Sequence, residues 1–331
     1  MQRVTKQPRI AVAPMMERTD RHCRYLLRLL APHAWLYTEM ITAAALLNGD
    51  HQRLLRFDPS EHPLALQLGG SDAEELAAAA RLGEQAGFDE INLNVGCPSD
   101  RVQAGCFGAA LMRDGAQVAN CIAAMQAAVN VPVTVKTRLG VDDHDSYEFL
   151  QGFVHQVAAA GCRIFVVHAR KAWLKGLSPK QNRNVPPLDY PRVHRLKADF
   201  PELEIIINGG LTNSAAALEQ LPHVDGVMLG RAAYHDPMLM ADLDRQVFAT
   251  DWMPSRQSIA RRYIQHVETE LASGVSFKLM ARHLLGLYAG QAGARRWRRS
   301  LGQLENGPQG LLGLHKLLLD FAPPTRVLMA S

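Results

Sequence analysis

The sequence predicts a (β/α)8 TIM barrel followed by a small C-terminal helical bundle. Three observations carry this. Eight short apolar runs recur between residues 9 and 230, each followed by a segment of helical pattern, the alternation that builds a closed parallel sheet. Several of these runs are apolar at nearly every position, as strands covered on both faces must be. After about residue 245 the strand pattern stops and four helical segments follow, so residues 1–244 read as the barrel and 245–331 as the bundle.

In chain order the strands are RIAVAPM (9–15), WLYTEM (35–40), LALQLGG (64–70), EINLNVG (90–96), VPVTVKT (131–137), RIFVVHA (163–169), EIIING (204–209) and DGVMLG (225–230). A helix over 72–86 takes Ser71 as its N-cap and Gly87 as its stop, and another over 146–160 begins at Ser146 and ends before Gly161. The bundle helices fall at 255–272, 275–289, 294–304 and 309–321, separated by Gly or Pro. An open doubly wound sheet is the structural rival. The chain contains neither GxGxxG nor GxxxxGK[ST], so that rival lacks its usual nucleotide signatures.

With 331 residues, 47% hydrophobic and 21% charged, the chain can bury a large core and is not of disordered composition. Its five cysteines form no CxxC pair, so neither a disulfide framework nor a metal site is expected, in keeping with a reducing compartment. The N-terminal stretch has no apolar h-region and no 18-residue apolar run occurs, so no membrane segment is expected and the cytoplasm is the default. Residues 245–331 hold 12 Lys+Arg against 5 Asp+Glu, leaving 24 basic against 27 acidic residues in the rest. A basic module on a mildly acidic body suggests a polyanionic partner, although charge alone favours a merely solvated helical surface.

Chemistry in such barrels gathers at the C-terminal strand ends. Here those ends carry Pro14-Met15-Met16, Gln67, Asn92, Asn94 and Cys97, Lys136 and Arg138, His168 and Arg170, Asn208-Gly209-Gly210, and Gly230-Arg231. Singly, each has a structural explanation. Together they do not, because an apolar strand has no structural reason to carry Lys136. Asn208–Gly210 and Gly230-Arg231 follow the last two strands, where barrels bind phosphate through backbone N–H groups, with an arginine to pair it. Lys136, Gln67 and His168 would serve a flavin ring: an ammonium for the charge near N1, a carboxamide for the ring edge, an imidazole for phosphate or ring.

The segments APMMERTDRHCR, LYTEM, ALQLGGSD, DEINLNVGCPSDRVQAGCFGAALM, VPVTVKTRLG, HARKAWLKGLSPKQNRNVPPLDYPRV, INGG, DGVMLGRAAY and GARRWRRSL resemble the bacterial tRNA-dihydrouridine synthases of subfamily A, the U20/U20a type. The resemblance spans roughly residues 9–301. It implies an FMN-bound barrel with a tRNA-gripping helical domain. By position, the FMN contacts would be Pro14, Met15, Met16, Gln67, Lys136, His168, Asn208, Gly209, Gly210, Gly230 and Arg231. Cys97 would be the proton donor, Asn94 would lie beside the target uridine, and Lys180, Arg183, Arg296 and Arg299 would touch tRNA. Glu17-Arg18 departs from the pair usual after APMM. The implied reductant is NADPH, or NADH, and the implied partner is tRNA, with no DNA and no membrane; a monomer is expected.

The chemistry so implied is hydride from the flavin to C6 of uracil and a proton from Cys97 to C5. A free thiol titrates at about 8.5 and is mostly protonated at neutral pH. A cationic neighbour would lower that value, so Lys136 is expected to serve mainly the flavin. A nucleophilic Cys97 would need a thiolate and an adjacent base, which the sequence does not show. The base must be drawn out of folded tRNA, which a basic helical domain would assist. Trp297 within ARRWRRSL is expected to anchor the bundle core and leave Arg296 and Arg299 outward on one face. Two rivals remain: a flavin barrel acting on a pyrimidine-type metabolite, which leaves the basic bundle unexplained, and a non-catalytic RNA-binding protein, which leaves the strand-end residues unexplained.

Overall fold

The computed structural model describes residues 7–99, 105 and 107–321; Cys106, to which the sequence assigns no role, lies outside them. Packing divides the chain into two compact units, Met1–Arg24 with His33–Gly230, and Tyr25–Pro32 with Arg231–Ser331.

The first unit is the parallel barrel. Its strands are β1 (Arg9–Val12), β2 (Leu36–Tyr37), β3 (Ile41–Thr42), β4 (Leu64–Gly69), β5 (Glu90–Val95), β6 (Val133–Arg138), β7 (Ile164–His168), β8 (Glu204–Asn208) and β9 (Gly226–Leu229). They pair in the order β1-β9-β8-β7-β6-β5-β4-β2. Trp35 closes the ring: its N–H donates to Ile10 O (2.8 Å) and its carbonyl accepts from Val12 N–H (2.9 Å). The second expected strand, WLYTEM, is shortened to β2, and a separate strand, β3, follows it; both pair with β4. The first stops before Thr38, whose hydroxyl takes the Gln67 N–H (3.0 Å) in place of a backbone carbonyl.

Alternate residues of each strand face the barrel interior. Ala11, Ala13, Tyr37, Ala65, Val166, Ile206 and Met228 pack there as one buried cluster. Below that layer Glu90, fully buried, accepts from Arg9 Nη1 (2.5 Å), Tyr37 OH (2.8 Å) and Thr134 Oγ1 (2.8 Å). Arg9 also meets Glu204 (2.9 Å) and lies 4.0 Å over the Trp35 ring. On the outer face Gly83 of the helix Ala73–Ala86 lets that helix sit against Leu66 and Ile91, whose tips come within 2.7 Å of where a Cβ would be. That helix is capped by Asp72 rather than Ser71: Asp72 Oδ1 accepts Glu75 N–H (2.9 Å), while the Ser71 carbonyl accepts from Gln117 (2.7 Å). Gly87 ends it at φ +99°. Ser146 caps Tyr147–Ala159 as expected.

The second unit contains the helices Arg231–His235, Met238–Phe248, Arg256–Ala272, Phe277–Ala281, Ala294–Gln303 and Pro308–Asp320. The continuous helix expected over 275–289 gives way at Arg282–Gly286 to a 3-10 turn. There Gly286 approaches the backbone so closely that a Cβ would fall 2.6 Å from His235 O. Leu26, Leu30, Ile259, Tyr263, Phe277, Leu284, Trp297 and Leu314 form its core. Trp297 is fully buried and donates its indole N–H to Leu284 O (2.7 Å); it is the core anchor the sequence suggested.

Glu90→Ala should destabilise the barrel by about 3–5 kcal/mol, since it removes one of the two carboxylates paired with the buried Arg9 and leaves two buried hydroxyls without their acceptor. Urea denaturation of wild type and variant measures this, and a loss below about 1 kcal/mol would show that water replaces the carboxylate.

Candidate active site at the barrel mouth

The inward positions of β5 are Glu90, Asn92 and Asn94, and a hydrogen-bonded chain climbs from them to the barrel mouth. Thr134 donates to Glu90 (2.8 Å), Asn92 Nδ2 to Thr134 Oγ1 (2.8 Å), Gln67 Nε2 to Asn92 Oδ1 (2.8 Å), and Asn94 Nδ2 to Gln67 Oε1 (2.9 Å). At the top, Asn94 Oδ1 accepts the backbone N–H of Gly96 (3.1 Å) and of Cys97 (3.0 Å). Strand register places these side chains opposite one another, Gln67 beside Asn92 and Asn92 beside Thr134. Every bond donates towards Glu90. A carboxylate in an ion pair accepts only and a backbone N–H donates only, so both ends of the chain dictate which way each carboxamide points. Gln67 and Asn94 each keep one further N–H to offer a bound ring.

Cys97 follows directly. It is half-buried, its carbonyl accepts Ala109 N–H (2.9 Å), and its sulfur lies 3.5 Å from the Ser99 hydroxyl.

A cationic group surrounds this point. Lys136 Nζ donates to Asn208 Oδ1 (3.2 Å), and Asn208 Nδ2 donates to Met228 O (2.7 Å). Burial, with Arg138 adding to it, pushes the Lys136 ammonium down to about 7. Burial and the cations Arg138, Lys136, Arg170 and Arg183 hold His168 well below the usual imidazole value, so it is neutral. Its buried Nδ1 has no partner. The Cys97 sulfur is within electrostatic reach of both Lys136 and Arg138.

The Asn208-Gly209-Gly210 turn requires its glycines. Both have positive φ, +106° and +71°. A Cβ on Gly209 would lie 3.1 Å from His168 Nε2, and one on Gly210 only 2.3 Å from Leu188. Tyr190 OH donates to Gly209 O (2.7 Å) and holds the turn open. A Cβ on Gly230 would meet Ala13 and Met15 at 3.7–3.8 Å. Pro14 and Met15 are half-buried and Met16 is 57% exposed. Met15 O anchors a turn that accepts Arg18 N–H (3.1 Å) and Thr19 N–H (3.0 Å), in which Glu17 takes φ +61° and Arg18 N–H reaches Glu39 (2.8 Å).

The structure thus brings Gln67, Asn94, Cys97, Lys136, His168, Asn208 and Gly209 into one connected cluster. Lys180 and Arg183 are exposed at the two ends of a short turn, Gln181–Arg183, in a loop braced by the buried Asn182. Arg231 opens the first helix after Gly230 and belongs to the second unit. Arg296 and Arg299 are exposed on the helix Ala294–Gln303 of that unit, and Arg296 meets Asp320 at 3.1 Å. Sequence reasoning missed Glu90, Thr134, Asn182 and Tyr190, and gave Arg138 no role. A glutamate opening an otherwise apolar strand was the available signal for Glu90; Asn182 and Tyr190 had none.

An imidazole nitrogen with no partner among the described residues, a turn only glycines can make and the buried Lys136 amine fit flavin mononucleotide, with its phosphate and a ring that becomes anionic on reduction. In the ligand-free protein Lys136 is deprotonated near neutrality while the unfolded chain keeps its proton to about 10.4. The unfolded state then binds more protons between about pH 7 and 10, and stability rises with pH across that window. Lys136→Met should flatten this rise by up to about 1.4 kcal/mol per pH unit, as urea titrations at pH 7 and 9 would show; identical slopes would mean that Lys136 stays charged.

Comparison with known proteins is consistent with this geometry. The sequence profile described as Dihydrouridine synthase (Dus) matches residues 11–318. A Xanthomonas axonopodis pv. citri (strain 306) protein named tRNA-dihydrouridine(20/20a) synthase is 57% identical over 300 residues, 91% of this chain and 90% of that protein. Proteins of the same name from Synechocystis sp. (strain ATCC 27184 / PCC 6803 / Kazusa) and Escherichia coli (strain K12) are 57% identical over 293 residues and 53% over 297, covering 88% and 89% of this chain and 88% and 86% of those proteins.

Proposed function

The chain belongs to the dihydrouridine synthase family, and on that premise we propose that it reduces uridine to 5,6-dihydrouridine at positions 20 and 20a of the tRNA D-loop, with FMN as cofactor and NADPH as reductant, in the cytoplasm. The observation that carries this is the pinned thiol: Cys97 sits at the head of the Glu90 chain, with its N–H fixed by Asn94 (3.0 Å).

When bound, FMN supplies the hydride that adds to C6 of the uracil ring. Cys97 gives its thiol proton to C5 as that charge develops, and the resulting thiolate is reprotonated from water. The remaining N–H groups of Gln67 and Asn94 donate to carbonyl oxygens at the mouth and orient the ring that bears them. Lys136 regains its proton against an anionic partner and stabilises that charge, because burial has already removed the competing water. His168 stays neutral, so one ring nitrogen accepts while the other donates. The glycines of 209–210 would let the backbone approach a phosphate. Lys180 and Arg183 of the barrel, and Arg296 and Arg299 of the helical unit, hold the tRNA backbone while one nucleotide is withdrawn.

Anaerobically reduced protein should be reoxidised by unmodified tRNA and not by free uridine or orotate. Equal oxidation by the free pyrimidines would return the protein to the metabolite oxidoreductases. Cys97→Ala should leave flavin reduction by NADPH intact and slow uridine reduction by about 10²–10⁴, measured in separate half-reactions; near-normal turnover would assign the proton to another group or to water.

The Arg296–Asp320 pair is exposed on both sides, so it is worth little and yields readily to phosphate. Arg296→Glu with Arg299→Glu should weaken tRNA binding and make its log–log salt slope shallower by roughly one unit for each phosphate no longer neutralised, with NADPH oxidation unchanged. Wild-type binding across the salt titration would leave this helix a solvated surface.

A further inference from the structure

We infer that Arg138 is a positioning residue that ties the peptide bearing Cys97 to the 171–183 loop, so that proton donor and loop are set as one unit. This rests on the reading of Cys97 as the acid for its catalytic consequence, but not for its geometry.

Arg138 ends β6 and is 5% exposed. A buried guanidinium normally faces a carboxylate; this one faces three backbone carbonyls. Its Nε donates to Gly96 O (2.9 Å), and its Nη1 donates to Lys171 O and to Asn182 O (3.1 Å each). Gly96 follows β5 and the other two follow β7, so one side chain bridges two loops on either side of its own strand.

The Gly96–Cys97 peptide is held at both ends. Its carbonyl accepts from Arg138, and its N–H donates to Asn94 Oδ1 (3.0 Å). A peptide plane fixed at O and at N has no freedom to rotate, which sets the position of the Cys97 Cα and the axis of its N–Cα bond.

The other end of the tie is equally rigid. Asn182 is fully buried. Its Oδ1 accepts Trp173 N–H (2.7 Å), and its Nδ2 donates to Trp173 O (2.8 Å) and Leu177 O (3.1 Å). The loop is thereby braced on itself, and Arg138 is its attachment to the Cys97 peptide. Lys175, Lys180 and Arg183 project from that loop into solvent. Only a planar fork can satisfy carbonyls in these separate directions; a lysine point charge cannot.

The test uses flavin-loaded protein. In Arg138→Lys, amide hydrogen exchange of peptides covering 94–99 and 171–183 should accelerate together, on the order of tenfold, with other barrel peptides unchanged. Flavin reduction by NADPH should stay within about twofold, while reoxidation by tRNA slows by about 10², the cost of a small misplacement of a reacting group. If Arg138→Lys fails to fold, Asn182→Ala serves instead: it removes the brace and leaves the Arg138–Gly96 bond, and should raise exchange in both loops. Exchange rising in one loop alone, or both half-reactions slowing equally, overturns the proposal. Failure of the Cys97 reading would show separately, as normal turnover by Cys97→Ala with the joint exchange response intact.

Discussion

The Glu90 carboxylate is the constraint on which the barrel mouth depends. Fully buried, it accepts from Arg9, Tyr37 and Thr134, and through Thr134 it starts a row of bonds that all run the same way to the Cys97 N–H. A buried carboxamide in the reverse orientation would set donor against donor, so the row has one satisfied arrangement and no low-cost alternative. The consequence is felt at the far end of the row, where both carboxamide oxygens are occupied and the Cys97 N–H is fixed.

A second constraint opposes the first. Lys136 and His168 are gathered about Arg138, and Arg170 and Arg183 lie within electrostatic reach of Arg138 and His168. Burial pushes all three towards their neutral forms, and Lys136 reaches about 7. An anion bound at the mouth would draw the proton back to Lys136. Arg138 escapes much of this by donating to three carbonyls, which converts a costly cation into a mechanical tie between loops. Rigidity below and charge at the top divide the work, the one placing the proton donor and the other favouring an anionic cofactor and an anionic RNA.

Much of this was legible because barrel strands have period two and apolar cores. A lysine, a histidine and asparagines at the ends of apolar runs stand out against that background, and the Gly-Gly of 209–210 marks a backbone that must come close to something. The shortening of the second strand was not legible, since it turns on the Thr38 hydroxyl reaching Gln67 N–H, a bond between residues far apart in the chain. Ser71 and Asp72 are both good caps, and only the partner of the Ser71 carbonyl, Gln117, separates them. Thr134 reads as an ordinary strand residue until register places it beside Asn92. Asn182 is invisible in a polar loop because its importance lies wholly in three-dimensional closure. The helix over 275–289 failed as a continuous element because the close approach at Gly286 is a tertiary fact.

The central claim is that this barrel presents Cys97 as the acid for uridine reduction at positions 20 and 20a of tRNA. The most direct measurement is mass-spectrometric mapping of dihydrouridine in tRNA from cells lacking the protein, complemented with wild type or with Cys97→Ala. The account predicts that dihydrouridine disappears at positions 20 and 20a alone, returns with wild type, and does not return with the variant. Unchanged dihydrouridine at those two positions in the deletion cells, or full restoration by Cys97→Ala, would contradict it.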